Sequence, residues 1–162
     1  NQRILSAVYQ IAENVAVTTG IDYLKKLVLT MTATLGAHVG IITRLQGGSP
    51  PYTRTVVAVL DGQLIDNFDI PMLGTPCENL SKETKEWIVS ADVIKKYPLA
   101  EGLKNFDAKA YIGRRIENPQ GDVMGQIFVL FREPMVETDY VSATLKIFTA
   151  RVAAELERQE AT

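Results

Sequence analysis

One cysteine and one histidine are all that 162 residues hold of the two commonest soft metal ligands. A single thiol closes no disulfide within the chain, and one Cys with one His is too small a set for a closed structural zinc site, so no metal centre is expected. A reducing, cytoplasmic setting fits that composition. Long apolar runs are missing too. None approaches the ~20 residues of a bilayer-spanning helix, and the opening Asn1-Gln2-Arg3 has no signal-peptide character, so no membrane contact by this segment is expected. The lack of an initiator Met suggests a piece of a longer parent, whose remainder could still contain membrane spans. A basic stripe is also absent. The 17 basic residues against 19 acidic ones give a net charge of −2, and they are scattered, which excludes nucleic acid as a partner bound by phosphate neutralisation. Catalytic sets are missing as well: the one His has no Ser or Cys beside it in a motif, the carboxylates show no paired spacing, and Gly47-Gly48 lacks the Lys-Ser/Thr of a phosphate loop. The chain is therefore not expected to be an enzyme and carries no catalytic candidates.

What is present is apolar content, 46% of the residues, enough for one substantial core in a single domain, 1–162. Ile4, Val8, Ile11 and Val15 recur at spacings of four, three and four, the seam of an amphipathic helix over 1–18. Leu24, Leu27, Val28, Met31 and Leu35 mark a second, broader helical face, with Gly20 or Asp22 as its cap and Gly36 at its end. Val39 to Leu45 reads as a strand and Gly47-Gly48-Ser49-Pro50-Pro51 as a loop. Thr53 to Leu60 is a β-branched strand that Asp61-Gly62 turns back into Leu64–Ile70. Pro71 to Asp107 mixes loop, short helices and a short strand at Trp87-Ile88-Val89, with Ser90-Ala91-Asp92 as N-cap chemistry for a helix that Pro98 ends. Ala110 to Ile116 and Val123 to Phe131 flank Asn118-Pro119-Gln120-Gly121-Asp122, a reversal joining antiparallel strands. The second of these, apolar at almost every position, should be central and covered on both faces. From Glu137 a long helix, 137–160, carries Val141, Leu145, Phe148, Val152 and Leu156 along one edge.

Tyr111-Ile112-Gly113-Arg114-Arg115-Ile116, the polar turn and Val123-Met124-Gly125 together resemble the C-terminal hairpin of GAF domains, small-molecule sensing modules. Asn67-Phe68-Asp69-Ile70 through Gly74-Thr75-Pro76-Cys77-Glu78, with Lys96-Tyr97-Pro98, is similar to a Gly-Thr-Pro-Cys-Glu subset found ahead of bacterial signalling outputs. The likeness runs from about Tyr23 to Val152. It departs at Arg114-Arg115, where the family more often has an apolar residue and Pro, and this leaves two cations near a place where family ligands often sit. The resemblance implies an α+β fold: a central antiparallel sheet of about five or six strands, helices on one face formed largely by the terminal helices, and a loop/helix insertion over the other. It also implies a pocket between insertion and sheet, whose wall would draw on Phe68, Met72, Cys77, Trp87, Tyr97, Phe106 and Tyr111, with Arg115 nearby. The same aromatics read equally well as ordinary core.

Cys77 follows Pro at a helix start, where backbone N–H groups can lower a thiol pKa and make a redox or attachment site; a lone Cys there is more commonly a small buried apolar group. With no second cysteine, an internal thiol cycle is excluded. Asp69-Ile70-Pro71 matches a segment of bilin-binding GAF domains, but no Cys-His pair follows, and the match is read as accidental. The motif of the cyclic-nucleotide subset is absent. His38, at a helix-to-strand junction, reads as a surface or structural residue before a haem ligand or pH switch. The resulting expectation is a cytoplasmic sensory domain of a bacterial signal-transduction protein. A small-molecule or redox signal, its ligand and any cofactor unidentified, would reach an output domain through the end helices. Their seams would pair in a homodimer. A ligand-free dimerisation or scaffolding module is the alternative.

Overall fold

The computed structural model describes residues 3–5, 20–82 and 84–160. Helix α1 (Gly20–Leu35) leads into strands β1 (Val39–Gln46), β2 (Tyr52–Leu60), β3 (Gln63–Ile65) and β4 (Asp69–Pro71). Helix α2 (Pro76–Lys82), strand β5 (Glu86–Val89) and helices α3 (Val93–Lys96) and α4 (Glu101–Asn105) make up the middle of the chain. Strands β6 (Ala110–Glu117) and β7 (Val123–Phe131) and helix α5 (Thr138–Glu160) follow. All the pairings are antiparallel, in the order β3-β2-β1-β7-β6-β5, with β4 beside another stretch of β2.

Among the described residues the sheet has seven strands where five or six were expected. The extra one arises within Leu64–Ile70, read as a single returning strand. Thr55 interrupts it: its hydroxyl donates to Asn67 Oδ1 at 2.8 Å and accepts the Phe68 N–H at 2.9 Å, so side-chain bonds break the run into β3 and β4. The β6–β7 reversal forms as its residues dictate. Asn118 Oδ1 accepts the backbone N–H groups of Gln120 at 3.0 Å and Asp122 at 2.9 Å, closing the turn locally.

Alternation along the strands then builds two cores. Ile127 and Val129 of β7 with Ile112 of β6 face α1 and α5; Phe128 and Leu130 of β7 with Tyr111 of β6 face the short helices of the middle segment. β7 lies between β1 and β6 and is covered on both sides, as its apolar run requires. Against the first face α1 presents Leu24, Leu27, Val28 and Met31, all at most 1% exposed. It approaches β1 closely enough that a Cβ on Gly40 would lie 2.4 Å from Thr32 Cγ2. Its first turn is capped from outside. The Gly20 N–H donates to Glu155 Oε1 of α5 at 3.1 Å, so a carboxylate from the far end of the chain takes the place expected of Gly20 or Asp22.

The seam on α5 corrects an expectation. Val141, Leu145, Phe148, Val152 and Leu156 are at most 5% exposed and pack into this chain's own core, so that edge is used up within the protomer and is not left over for a partner helix. Of the first seam, Val8, Ile11 and Val15 lie outside the described residues. Residues 3–5 are helical and sit beside the start of α5: the Arg3 guanidinium lies 3.9 Å from the centre of the Tyr140 ring and pairs with Glu137. Of Ser90-Ala91-Asp92, expected to offer the N-cap of α3, Asp92 takes that position, stands at φ 55° in the left-handed region and makes no side-chain cap bond.

Two substitutions check this layer. Phe148→Ala should cost about 3–5 kcal/mol in guanidinium unfolding, as a fully enclosed ring does. Gly40→Ala should cost about 1–3 kcal/mol, because α1 must move to admit a methyl group. An unchanged midpoint for Gly40→Ala would show that α1 does not approach the strand this closely.

Candidate functional site

Short helices present few inward side chains, and the five-residue α4 lowers only Leu103 and the preceding Ala100 toward the sheet. Between this roof and the strands a cavity of about 150 Å3 remains. Its floor is Ile41, Tyr111, Phe128 and Leu130, one parity of β1, β6 and β7; Phe68 and Phe106, with ring centres 6.1 Å apart, and Cys77 line it too. Leu73 and Leu99 also line it and are 55% and 80% exposed, which marks them as its mouth.

Two side chains from the sheet side fasten the roof. Gln126 of β7, fully buried, donates from Nε2 to the Cys77 carbonyl at 2.8 Å, and His38, just before β1, donates from Nε2 to the Phe106 carbonyl at 2.5 Å. Both roof residues line the cavity, so each bond ties part of its wall to the sheet side. His38 is therefore structural, 8% exposed, in keeping with its junction position.

Four of the eight residues anticipated for the pocket, Phe68, Cys77, Phe106 and Tyr111, come together around the cavity. The other four do not line it. Met72 is buried in the same apolar cluster. Trp87 and Tyr97 turn their polar ends to one another: the indole N–H donates to the Tyr97 hydroxyl at 2.7 Å, and that hydroxyl donates to Asn79 Oδ1 at 2.7 Å. Arg115 pairs with Glu117 at 3.2 Å. Arg114 is on the opposite sheet face, held by Glu86 at 2.5 Å with Ser142 of α5 donating to the same carboxylate. The two cations expected near a ligand are thus spent elsewhere. Asp69 is likewise turned outward to Arg54 at 2.8 Å, while Ile70 and Pro71 after it line the cavity. Ile41, Leu99 and Leu130 were not anticipated. Strand parity fixed by Tyr111 and Phe128 could have found Ile41 and Leu130, whereas nothing local marks Leu99.

The chemistry of the site is quiet. Burial pushes the Cys77 thiol up to about 12, against a bond from Thr75 that pulls the other way, so enclosure outweighs any lowering by the helix start. The Tyr111 hydroxyl is pushed well above its ordinary value, by burial first and then by Cys77 and Tyr97. It lies over Gly113, where a Cβ would be 2.3 Å from the oxygen, and it has no hydrogen-bond partner among the described residues. Among those residues, too, no group of three or more His, Cys, Asp and Glu could hold a metal ion, and no helix is long and apolar enough to cross a membrane.

The state of Cys77 can be read directly. DTNB at pH 8 should leave the native thiol unlabelled and should titrate it fully in denaturant; rapid native labelling would contradict its enclosure. Since the fold favours the neutral thiol, this group's contribution to stability is intact below its ordinary 9.0 and is lost as the pH climbs toward about 12.

No family model matches the chain, and no curated protein does. Solved structures do. A GAF domain from an Acinetobacter phosphoenolpyruvate-protein phosphotransferase is 13% identical and superposes with a TM-score of 0.72 over 99% of this chain and 96% of its own. A phycoerythrobilin-bound GAF domain from a cyanobacterial phytochrome is 15% identical, with a TM-score of 0.68 over 98% of both chains. The chromophore-binding domain of a Stigmatella aurantiaca bacteriophytochrome is 12% identical, with a TM-score of 0.70 over 95% of this chain, which spans only 60% of that longer one. These superpositions take in nearly the whole chain, and it has the fold of a GAF domain.

Proposed function

We propose that this chain is a sensory input domain of a bacterial, cytoplasmic signal-transduction protein, in which a small molecule occupies the cavity beneath α4 and its presence is passed to an output domain through α5. The observation that carries the reading is the cavity itself, held open between a fastened roof and a sheet whose reverse side is packed against α1 and α5. A ligand shifts such a structure only by preferring one arrangement of the roof and sheet, typically by ~1–3 kcal/mol. One of the structural neighbours is a chromophore-binding domain and another is phycoerythrobilin-bound. A tetrapyrrole does not fit here as the cavity stands: 150 Å3 is below the ~300–1,000 Å3 of ordinary ligand pockets.

That small volume also favours a second reading, a scaffolding module whose pocket has nearly closed. The enclosed, protonated Cys77 argues against the thiol as the signal receiver and against catalysis through it. Dimerisation through α5 forms no part of the proposal, because its seam is covered within the protomer.

Native mass spectrometry of freshly purified protein separates the two readings. The sensor should carry a small added mass that disappears on unfolding, or should gain several degrees of thermal stability from at least one member of a metabolite panel. Bare mass together with an unmoved melting temperature across the panel would favour the scaffold.

A further inference from the structure

We infer that the cavity is built for a compact, uncharged, largely apolar ligand, a single-ring aromatic or a branched hydrocarbon chain of about six to ten non-hydrogen atoms. The inference rests on the sensory reading and specifies its ligand. Size comes first. A closed cavity of about 150 Å3 lined by aliphatic and aromatic side chains accommodates a benzene-sized guest, and the volume here is the same. Nucleotides and tetrapyrroles are several times larger.

Charge comes second. Among the described residues, no Lys, Arg or His lines the cavity. The cations anticipated nearby are paired elsewhere, Arg115 with Glu117 and Arg114 with Glu86. The charged residue of the lining is Glu101, which sits 76% exposed and 3.7 Å from Lys104 and offers an anion no attraction. An anionic guest would lose its hydration and find no counter-charge, a penalty of several kcal/mol. Hydrogen-bonding capacity is small as well: the Thr75 hydroxyl is already donating to the Met72 carbonyl at 2.8 Å, Cys77 is protonated, and the one unpartnered hydroxyl of the lining among the described residues, that of Tyr111, lies against Gly113, so a single polar atom on the guest is the most the site can answer. The mouth agrees with the interior. Leu73 and Leu99 expose apolar surface to water beside it, and an apolar guest covers that surface as it enters.

The test uses one neutral and one anionic single-ring probe, toluene and benzoate, both within the proposed size range, titrated into the isotope-labelled chain while amide resonances are followed. Toluene should shift Ala100, Leu103 and Phe106 saturably, and benzoate should bind these positions at least tenfold more weakly. Leu99→Glu, an exposed position that spares the fold, should weaken toluene about fivefold. Ala100→Ile should abolish its shifts while the remaining spectrum is retained; if that variant does not fold, Leu99→Glu alone carries the comparison. Benzoate binding as tightly as toluene would overturn the ligand class and leave the sensory reading standing. So would a co-purified charged or much larger molecule in a protein that ignores toluene. If neither probe binds, nothing co-purifies and no member of the metabolite panel raises the melting temperature, the ligand class and the sensory reading fall together.

Discussion

Three adjacent strands, β1, β7 and β6, are buried on both faces, and this constraint governs the rest of the architecture. A strand with two dry faces must be apolar at successive positions, and each face must find its own cover. One cover is regular. Helices α1 and α5, sixteen and twenty-three residues long, present continuous apolar edges and fill the space down to Gly40, where even a methyl group does not fit. The other cover is made of helices of four to seven residues joined by loops, which cannot interdigitate as completely. The hollow lies on that side for a geometric reason, before any ligand is considered.

How much of this could be read from the residues depended on whether the signal was local. Apolar periodicity carried α1 and α5, and the Asn118–Asp122 turn carried the β6–β7 pair, because each is written in consecutive residues. Leu64–Ile70 failed where a long-range partner intervened: Thr55 lies twelve positions from Asn67 and takes over bonds that an unbroken ladder would have used. The cap of α1 failed for the same reason, since Glu155 is 135 positions away from Gly20. The α5 seam showed the limit of periodicity. A narrow apolar edge reports that something covers it, and here the cover is the chain's own sheet.

Legibility of the site followed the same division. Phe68, Cys77, Phe106 and Tyr111, anticipated from the likeness to the pocket wall of GAF domains, do line the cavity. Trp87 and Tyr97 belong to the same class of residue, but each carries a polar atom, and those atoms found one another instead of a ligand. Arg115 was placed by likeness of position, and its neighbour Glu117, two residues along the same strand, decided otherwise. Leu99 carries no signal of its own because its role comes only from where the loop ahead of α4 leaves it.

A hollow between two apolar surfaces ordinarily shrinks, since atoms brought together across it attract one another and every square ångström of bare lining is unfavourable. What opposes collapse here is polar. Gln126 rises from the central strand to the Cys77 carbonyl, and His38 reaches the Phe106 carbonyl from the start of β1, so two residues of the cavity wall are tied to the sheet side. Drawing the roof inward would strain or break these bonds in a setting where an unsatisfied buried carbonyl costs about 1–3 kcal/mol. Phe128 and Leu130 on the cavity floor alternate with Ile127 and Val129, which pack against the long helices, so floor and helix core share one backbone. Cavity floor and helix core are therefore two faces of a single strand, with no intervening layer between them.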